Sequence, residues 1–147
     1  CLTQARYGIG WGTIGAAMPV YEASLKYAKE RIQFDKPIAS YQLVQQKLVW
    51  MLNEITKGQI IALQVGKNKD NQTLKFQQVS LIKRNNVWVA RECCKLARDI
   101  HGGNGVSGEY PIMRHLMNIE SVYTYEGTHD MHTLILGNDI TGIPSFE

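Results

Sequence analysis

Between Tyr41 and Val65, apolar or small residues recur three and four positions apart: Tyr41, Val44, Leu48, Met51, Ile55, Gly58, Ala62 and Val65. That spacing lays one apolar stripe along an α-helix and does not match a strand, whose faces alternate every second residue. Such a helix must bury its stripe against something, and the same chain supplies a second one: Val79, Ile82, Asn86, Val89, Cys93, Leu96 and Ile100, ending where Gly102 and Gly103 can terminate it. An earlier pattern, from about Gln4 to Ile32, carries Ile9, Gly12, Ala16, Val20, Ala23 and Tyr27, with Pro19 expected to kink it. "QFDKPIAS" then breaks the helix. Ser40 is the expected N-cap of the second helix, and "GKNKDNQT" reads as a solvated loop after it. A shorter helix is expected from Pro111 to about Glu120, with the proline in its first turn. Another is expected after "YEGT", carrying Met131, Leu134, Ile135 and Ile140 up to Gly142. No strand alternation, repeat or low-complexity segment stands out. The fold expected is all-α, an antiparallel helical bundle occupying residues 1–147 as one domain.

Composition narrows the function classes. At 44% hydrophobic and 20% charged residues, the 147-residue chain has ordinary soluble character, and no apolar run is long enough to cross a bilayer. Sixteen basic and thirteen acidic residues leave a formal charge of +3, too small and scattered for a nucleic-acid surface, though it would not repel an anionic small molecule. Cys1 stands alone, and Cys93 and Cys94 are adjacent with no C-x-x-C, which reads as a reducing compartment. The chain begins at Cys1 without Met or a basic leader and enters a helical pattern at once; it is read as a piece of a longer protein.

Four short motifs carry possible chemistry, each with a plainer alternative. "GWGTIG" matches G-x-G-x-x-G, but a dinucleotide loop needs a preceding strand, and the residues before Gly10 look helical. Glycines that let a neighbouring helix approach closely are the better reading. Glu126, His129 and His132 form E-x-x-H-x-x-H. A di-iron bundle needs a second Glu-x-x-His, which is missing, so no metal is assigned and the histidines read as a surface or interface pair. In "RIQFDKP", Arg31 can complement the C-terminal end of a helix dipole, with Phe34 packed as a staple. "DIHGGNG" is either a glycine C-cap or a place where a cofactor can lie against bare backbone.

Taken in order, Arg-x-x-Phe, Gly-Gly-Asn-Gly and Tyr-Glu-Gly-Thr on a helical bundle resemble the C-terminal domain of the acyl-CoA dehydrogenases, over essentially the whole chain. Within that family "CLTQARYGIGWG", "ERIQFDKPI", "EITKGQ", "SLIKRNN" and "VYTYEGTHDMH" look most like the glutaryl-CoA branch.

The resemblance implies a flavoenzyme using FAD, with Glu126 as the base that removes the α-proton of an acyl-CoA thioester. It implies that the thioester oxygen is held by the glutamate's own backbone N–H, an oxyanion-hole device. It places cofactor contacts at Arg31, Phe34, Gln42, Asp99, Ile100, His101, Gly102, Gly103, Thr128 and Phe146, and substrate contacts at Leu2, Thr3, Arg6 and Gly127. Asp99 stands where many relatives have glutamine, and His101 where a hydrophobic residue is usual. Glutaryl-CoA as substrate, a homotetramer sharing its flavins between subunits and an electron-transfer flavoprotein as acceptor follow from the same resemblance. So do a location in the mitochondrial matrix (cytoplasm if bacterial), no nucleic-acid partner and no membrane insertion. The family's N-terminal helical and middle β domains have no counterpart in these residues, so this stretch alone is expected to be inactive.

Overall fold

A computed structural model describes residues 2–145. Five α-helices make up the fold: α1 (Leu2–Glu30), α2 (Gln42–Asp70), α3 (Phe76–His101), α4 (Ile112–Thr124) and α5 (His129–Thr141). Short 3-10 segments cover Ile38–Ser40 and Gly102–Val106. The expected all-α bundle is what forms, with α3 at its centre, packed against each of the other four helices.

Both apolar stripes are buried as their spacing requires. Leu48, Met51, Ile55, Gly58, Ala62 and Val65 face inward from α2, and Val79, Ile82, Asn86, Val89, Cys93 and Ile100 from α3. The three long helices meet at one polar knot. Asn86, fully buried on α3, donates from Nδ2 to the Gly10 carbonyl of α1 at 2.8 Å and to the Gly58 carbonyl of α2 at 3.2 Å. The absence of side chains at both glycines makes that crossing possible. A Cβ at Gly10 would stand 2.7 Å from Ile82 Cδ1, and one at Gly58 2.5 Å from Ile14 Cδ1. Close approach therefore explains Gly10 of the G-x-G-x-x-G motif, whereas Gly12 and Gly15 have open space beside them.

Several local expectations need correction. Ser40 does not cap α2: it lies in the 3-10 segment, its Oγ donates to the Pro37 carbonyl at 2.7 Å, and Tyr41 occupies the N-cap position. The presumed loop from Gly66 to Asp70 is helical. Two contacts outweigh its weak propensity: Tyr7 of α1 packs into the space left by Gly66, and within α2 Gln64 Nε2 bonds Asn68 Oδ1 at 3.0 Å one turn on. Pro111 is the N-cap of α4 rather than a first-turn residue, and α4 continues to Thr124. Helix α1 runs through Pro19, which is exposed, as is Gly15 four residues earlier, so the carbonyl that loses its donor faces water.

"IQFDKP" forms a minimal antiparallel hairpin, Ile32–Gln33 paired with Lys36–Pro37, that period counting could not detect. Its turn residues Phe34 and Asp35 have φ of +52° and +63°, the paired positive values of a type I′ turn. Phe34 is 88% exposed at the hairpin tip, so it is no staple on the helix end.

Candidate functional site

The Tyr-Glu-Gly-Thr turn joins α4 to α5, and its conformation follows from how those helices end. Tyr125 closes α4, its N–H donating to the Ser121 carbonyl at 3.0 Å. Thr128 opens α5, its Oγ1 accepting from the Met131 N–H at 3.2 Å. The two residues between them reverse the chain with positive φ, +57° at Glu126 and +93° at Gly127. Glycine tolerates this, but a glutamate in the left-handed region costs about 1–3 kcal/mol and must be held there.

Three buried or half-buried donors do the holding. Lys83, on the inner face of α3 and 1% exposed, donates from Nζ to the Tyr125 carbonyl at 2.9 Å and to the Gly127 carbonyl at 2.6 Å. Arg6, near the start of α1, donates from Nε to the Glu126 carbonyl at 2.9 Å. His132, fully buried on α5, lies with Nε2 3.3 Å from the same oxygen. A carbonyl can only accept, so the proton of His132 sits on Nε2; its Nδ1 is buried without a partner. The side of Gly127 is closed by the same groups, since a Cβ there would meet His132 Nε2 at 3.0 Å and Arg6 Nη2 at 3.3 Å.

The electrostatics reflect this crowding of donors. Burial, then the nearby Arg6 charge, lowers the Lys83 pKa to about 8, with Glu126 acting in the opposite direction. Burial followed by the Lys83 and Arg6 charges lowers that of His132 to about 4, so it is neutral at pH 7. The flank is braced by Tyr123, whose ring stacks on His129 at 4.8 Å on one element and lies under the Arg91 guanidinium at 4.7 Å on another. His129 and His132 are therefore not a surface pair. Among the described residues no three His, Cys, Asp or Glu side chains converge as a metal site would need.

The Glu126 carboxylate has one oxygen buried and unpartnered. It lines a groove of about 570 Å³ whose floor on α1 is small, with Ala5, Gly8, Gly12 and Ala16, and whose other wall is His115, Asn118, Ile119 and Val122 of α4. An acid on the wall of a mostly apolar groove can remove a proton from a chain laid along it. Of the proposed substrate residues, Arg6 and Gly127 join Glu126, whereas Leu2 and Thr3 are exposed at the start of α1 and do not line this groove.

Most of the proposed cofactor residues gather elsewhere, around a groove of about 870 Å³. Arg31 and Phe34 reach it from the hairpin, Gln42 from the start of α2, and Asp99, Ile100, His101, Gly102 and Gly103 from the end of α3. Ile100 is also buried in the core. Lys36 and Lys47 add positive charge to the wall, and Lys47 pairs with Asp99 at 3.5 Å. Gly102 adopts φ +56° and ψ −130°, a conformation reserved for glycine. His101 stacks on Tyr27 at 4.3 Å, and its Nδ1 donates to the Ala97 carbonyl at 2.8 Å. Its buried Nε2 is left with no partner. Thr128 belongs to the Glu126 turn and lines neither groove. Phe146 lies outside the described residues.

Sequence reasoning missed Lys83 and, although it singled out His132, missed that residue's buried place beside the Glu126 carbonyl. Each left one signal: Lys83 falls one turn after Val79 and one before Asn86, on the buried face of an amphipathic helix, where a lysine is costly without partners. His132 takes the inward position on α5 that Met131 and Ile140, both exposed, were expected to share.

Comparison with known proteins agrees with the helical fold. A family model described as acyl-CoA dehydrogenase, C-terminal domain, matches residues 1–141. A crystal structure of glutaryl-CoA dehydrogenase from Mycobacterium smegmatis is 51% identical, with a TM-score of 0.98 over 100% of this chain and 38% of that one. A second glutaryl-CoA dehydrogenase structure from Mycobacterium smegmatis, in complex with FADH2, is 43% identical, with a TM-score of 0.97 over 100% of this chain and 38% of that one. The probable acyl-CoA dehydrogenase YngJ of Bacillus subtilis is 32% identical over 139 residues, 95% of this chain and 37% of that protein. The chain thus spans a little over a third of the length of these relatives. It belongs to the acyl-CoA dehydrogenase family, whose C-terminal domain it matches.

Proposed function

We propose that this chain is the C-terminal domain of an FAD-dependent acyl-CoA dehydrogenase acting on glutaryl-CoA, and that Glu126 is its catalytic base. One observation carries the reading: Glu126 is clamped in a strained backbone conformation, its carboxylate has no hydrogen-bond partner on its buried oxygen, and the residue lines the small-residue groove. Strain of this kind persists only where the surroundings enforce it, and here Lys83, Arg6 and His132 do so.

The residues act as follows. The acyl chain lies along Ala5, Gly8 and Gly12, with its α-carbon at the Glu126 carboxylate, which accepts the α-proton. The trans peptide between Tyr125 and Glu126 has its carbonyl turned toward Lys83, so its N–H is directed the opposite way, out of the core. That N–H donates to the thioester oxygen as negative charge develops there. When bound, FAD supplies the acceptor for the hydride leaving the β-carbon. The product is an enoyl-CoA, and for glutaryl-CoA loss of carbon dioxide then gives crotonyl-CoA.

The larger groove fits the adenosine and pyrophosphate portion of FAD. Its wall carries Arg31, Lys36 and Lys47, Gly102 and Gly103 leave open backbone, and His101 Nε2 is a buried acceptor without a partner. Phe34, at the hairpin tip, packs beside Arg31 against the cofactor, and Gln42 and Asp99 complete the contacts. Thr128 contacts FAD from the Glu126 turn. The separation of that turn from the larger groove supports a flavin shared between copies of the chain, hence a homo-oligomer, which we take to be a tetramer. An electron-transfer flavoprotein is the proposed acceptor. The location that follows is the mitochondrial matrix for a eukaryotic source and the cytoplasm for a bacterial one.

A sister enzyme acting on a straight or branched acyl-CoA is the second reading, favoured by the groove's lining, which has alanine and glycine on its floor and no lysine or arginine to pair with a second carboxylate. Anaerobic addition of glutaryl-CoA and, separately, butyryl-CoA to the full-length holoenzyme tests the choice. Flavin bleaching and carbon dioxide release with glutaryl-CoA support the first reading. Bleaching with butyryl-CoA alone moves the substrate to the sister class.

A further inference from the structure

Lys83 is an unusual residue to find at the centre of a helical bundle. It is 1% exposed, its carrier helix α3 touches every other helix, and no carboxylate pairs with it within salt-bridge distance among the described residues. Its Nζ instead reaches two backbone carbonyls, Tyr125 at 2.9 Å and Gly127 at 2.6 Å, one on each side of Glu126. A buried ammonium costs several kcal/mol of desolvation, which hydrogen bonds to neutral carbonyls offset only in part. A structural helix contact could be made by methionine at lower cost. The placement therefore points to a task at the turn.

We propose that Lys83 is the positioning residue for the proton-abstraction step: it fixes and polarises the peptide whose N–H receives the thioester oxygen. This inference rests on the reading of Glu126 as base. A peptide unit is planar, and its C=O and N–H point in opposite directions. Holding the Tyr125 carbonyl from the core consequently fixes where the Glu126 N–H points. A cation on that carbonyl also withdraws electron density through the amide and makes the N–H a stronger donor. The second bond, to the Gly127 carbonyl, prevents the turn from relaxing past Glu126. Arg6 and His132, both on the Glu126 carbonyl, supply the third point of the clamp. Lys83 touches neither substrate nor cofactor in this arrangement; it acts through the turn.

The test uses the full-length holoenzyme with Lys83→Met, which keeps length and apolar volume, and Lys83→Arg, which keeps a cation with N–H donors. Three quantities are read: FAD content, the rate of flavin reduction per bound flavin at saturating glutaryl-CoA, and the infrared stretch of crotonyl-CoA labelled with carbon-13 at its thioester carbonyl. For Lys83→Met the reduction rate falls about a hundredfold, the size of losing one oxyanion donor, with little change in half-saturation. The carbonyl band moves back toward its frequency in free solution, and FAD content is retained. Lys83→Arg recovers most of both signals. If Lys83→Met loses flavin or stability but keeps the wild-type rate per bound flavin and the wild-type band, Lys83 is only a packing residue and the proposal falls. A Glu126→Gln enzyme that still reduces its flavin overturns the base assignment instead, and the carbonyl band continues to report on Lys83 independently.

Discussion

Arg6 and Glu126 stand 120 positions apart in the chain, and the Nε of the first donates to the carbonyl of the second at 2.9 Å. The first helix thereby reaches across the bundle to the turn that holds the proposed base. Replacing Arg6 with Met removes a charged donor from a half-buried carbonyl. The loss is about 1.5–3 kcal/mol, or roughly ten- to a hundredfold in the rate of flavin reduction. Stopped-flow reduction of the full-length enzyme measures it, and Arg6→Lys recovers only part because the guanidinium geometry is lost.

Gly127 tolerates no side chain. Its φ of +93° disfavours any L-residue, and a Cβ would meet His132 and Arg6. Gly127→Ala lowers stability by about 1–3 kcal/mol, visible as a drop in denaturation midpoint, and reduces activity further by displacing the clamp.

His132 makes the fold sensitive to acid. Its pKa in the folded state, about 4, lies below its ordinary value, so between pH 6.5 and pH 4 the unfolded chain binds more protons than the folded one. Stability therefore falls as pH drops through that window, by on the order of 3 kcal/mol from this group alone. His101, His115 and His129, all shifted down mainly by burial, act in the same direction. Denaturant unfolding at pH 7 and pH 4.5 gives the slope, and His132→Leu makes it shallower.

Asn86 ties three helices through the Gly10 and Gly58 carbonyls. Asn86→Leu removes the second hydrogen bond from each of two carbonyls that keep their own helix bonds, and costs about 1–2 kcal/mol. Thermal unfolding tests this, with Asn85→Leu as the partly exposed neighbour that costs less.

How far the sequence could be read depends on the kind of signal. The stripes on α2 and α3 were legible because burial at helical spacing is a local property of the chain, and Gly102 ended α3 as glycine does. Residues 66–70 were misread because their helix is held by Tyr7 of α1 and by Asn68 bonding to Gln78 of α3, neither of which the local composition contains. Phe34 was misread because a two-residue hairpin is too short to show a period. Lys83 resembled any basic residue on a helix; only the return of Tyr125 and Gly127 from over forty positions away gives its burial a reason. Glu126 itself was found by its resemblance to a family motif. The strained turn and its clamp are tertiary facts.

The measurement that bears most directly on the account is anaerobic mixing of glutaryl-CoA with full-length holoenzyme carrying Glu126→Gln. The thioester is expected still to bind, while flavin bleaching slows by at least about a thousandfold, as loss of a general base implies. Bleaching at the wild-type rate would contradict it and leave the strained glutamate without a catalytic role.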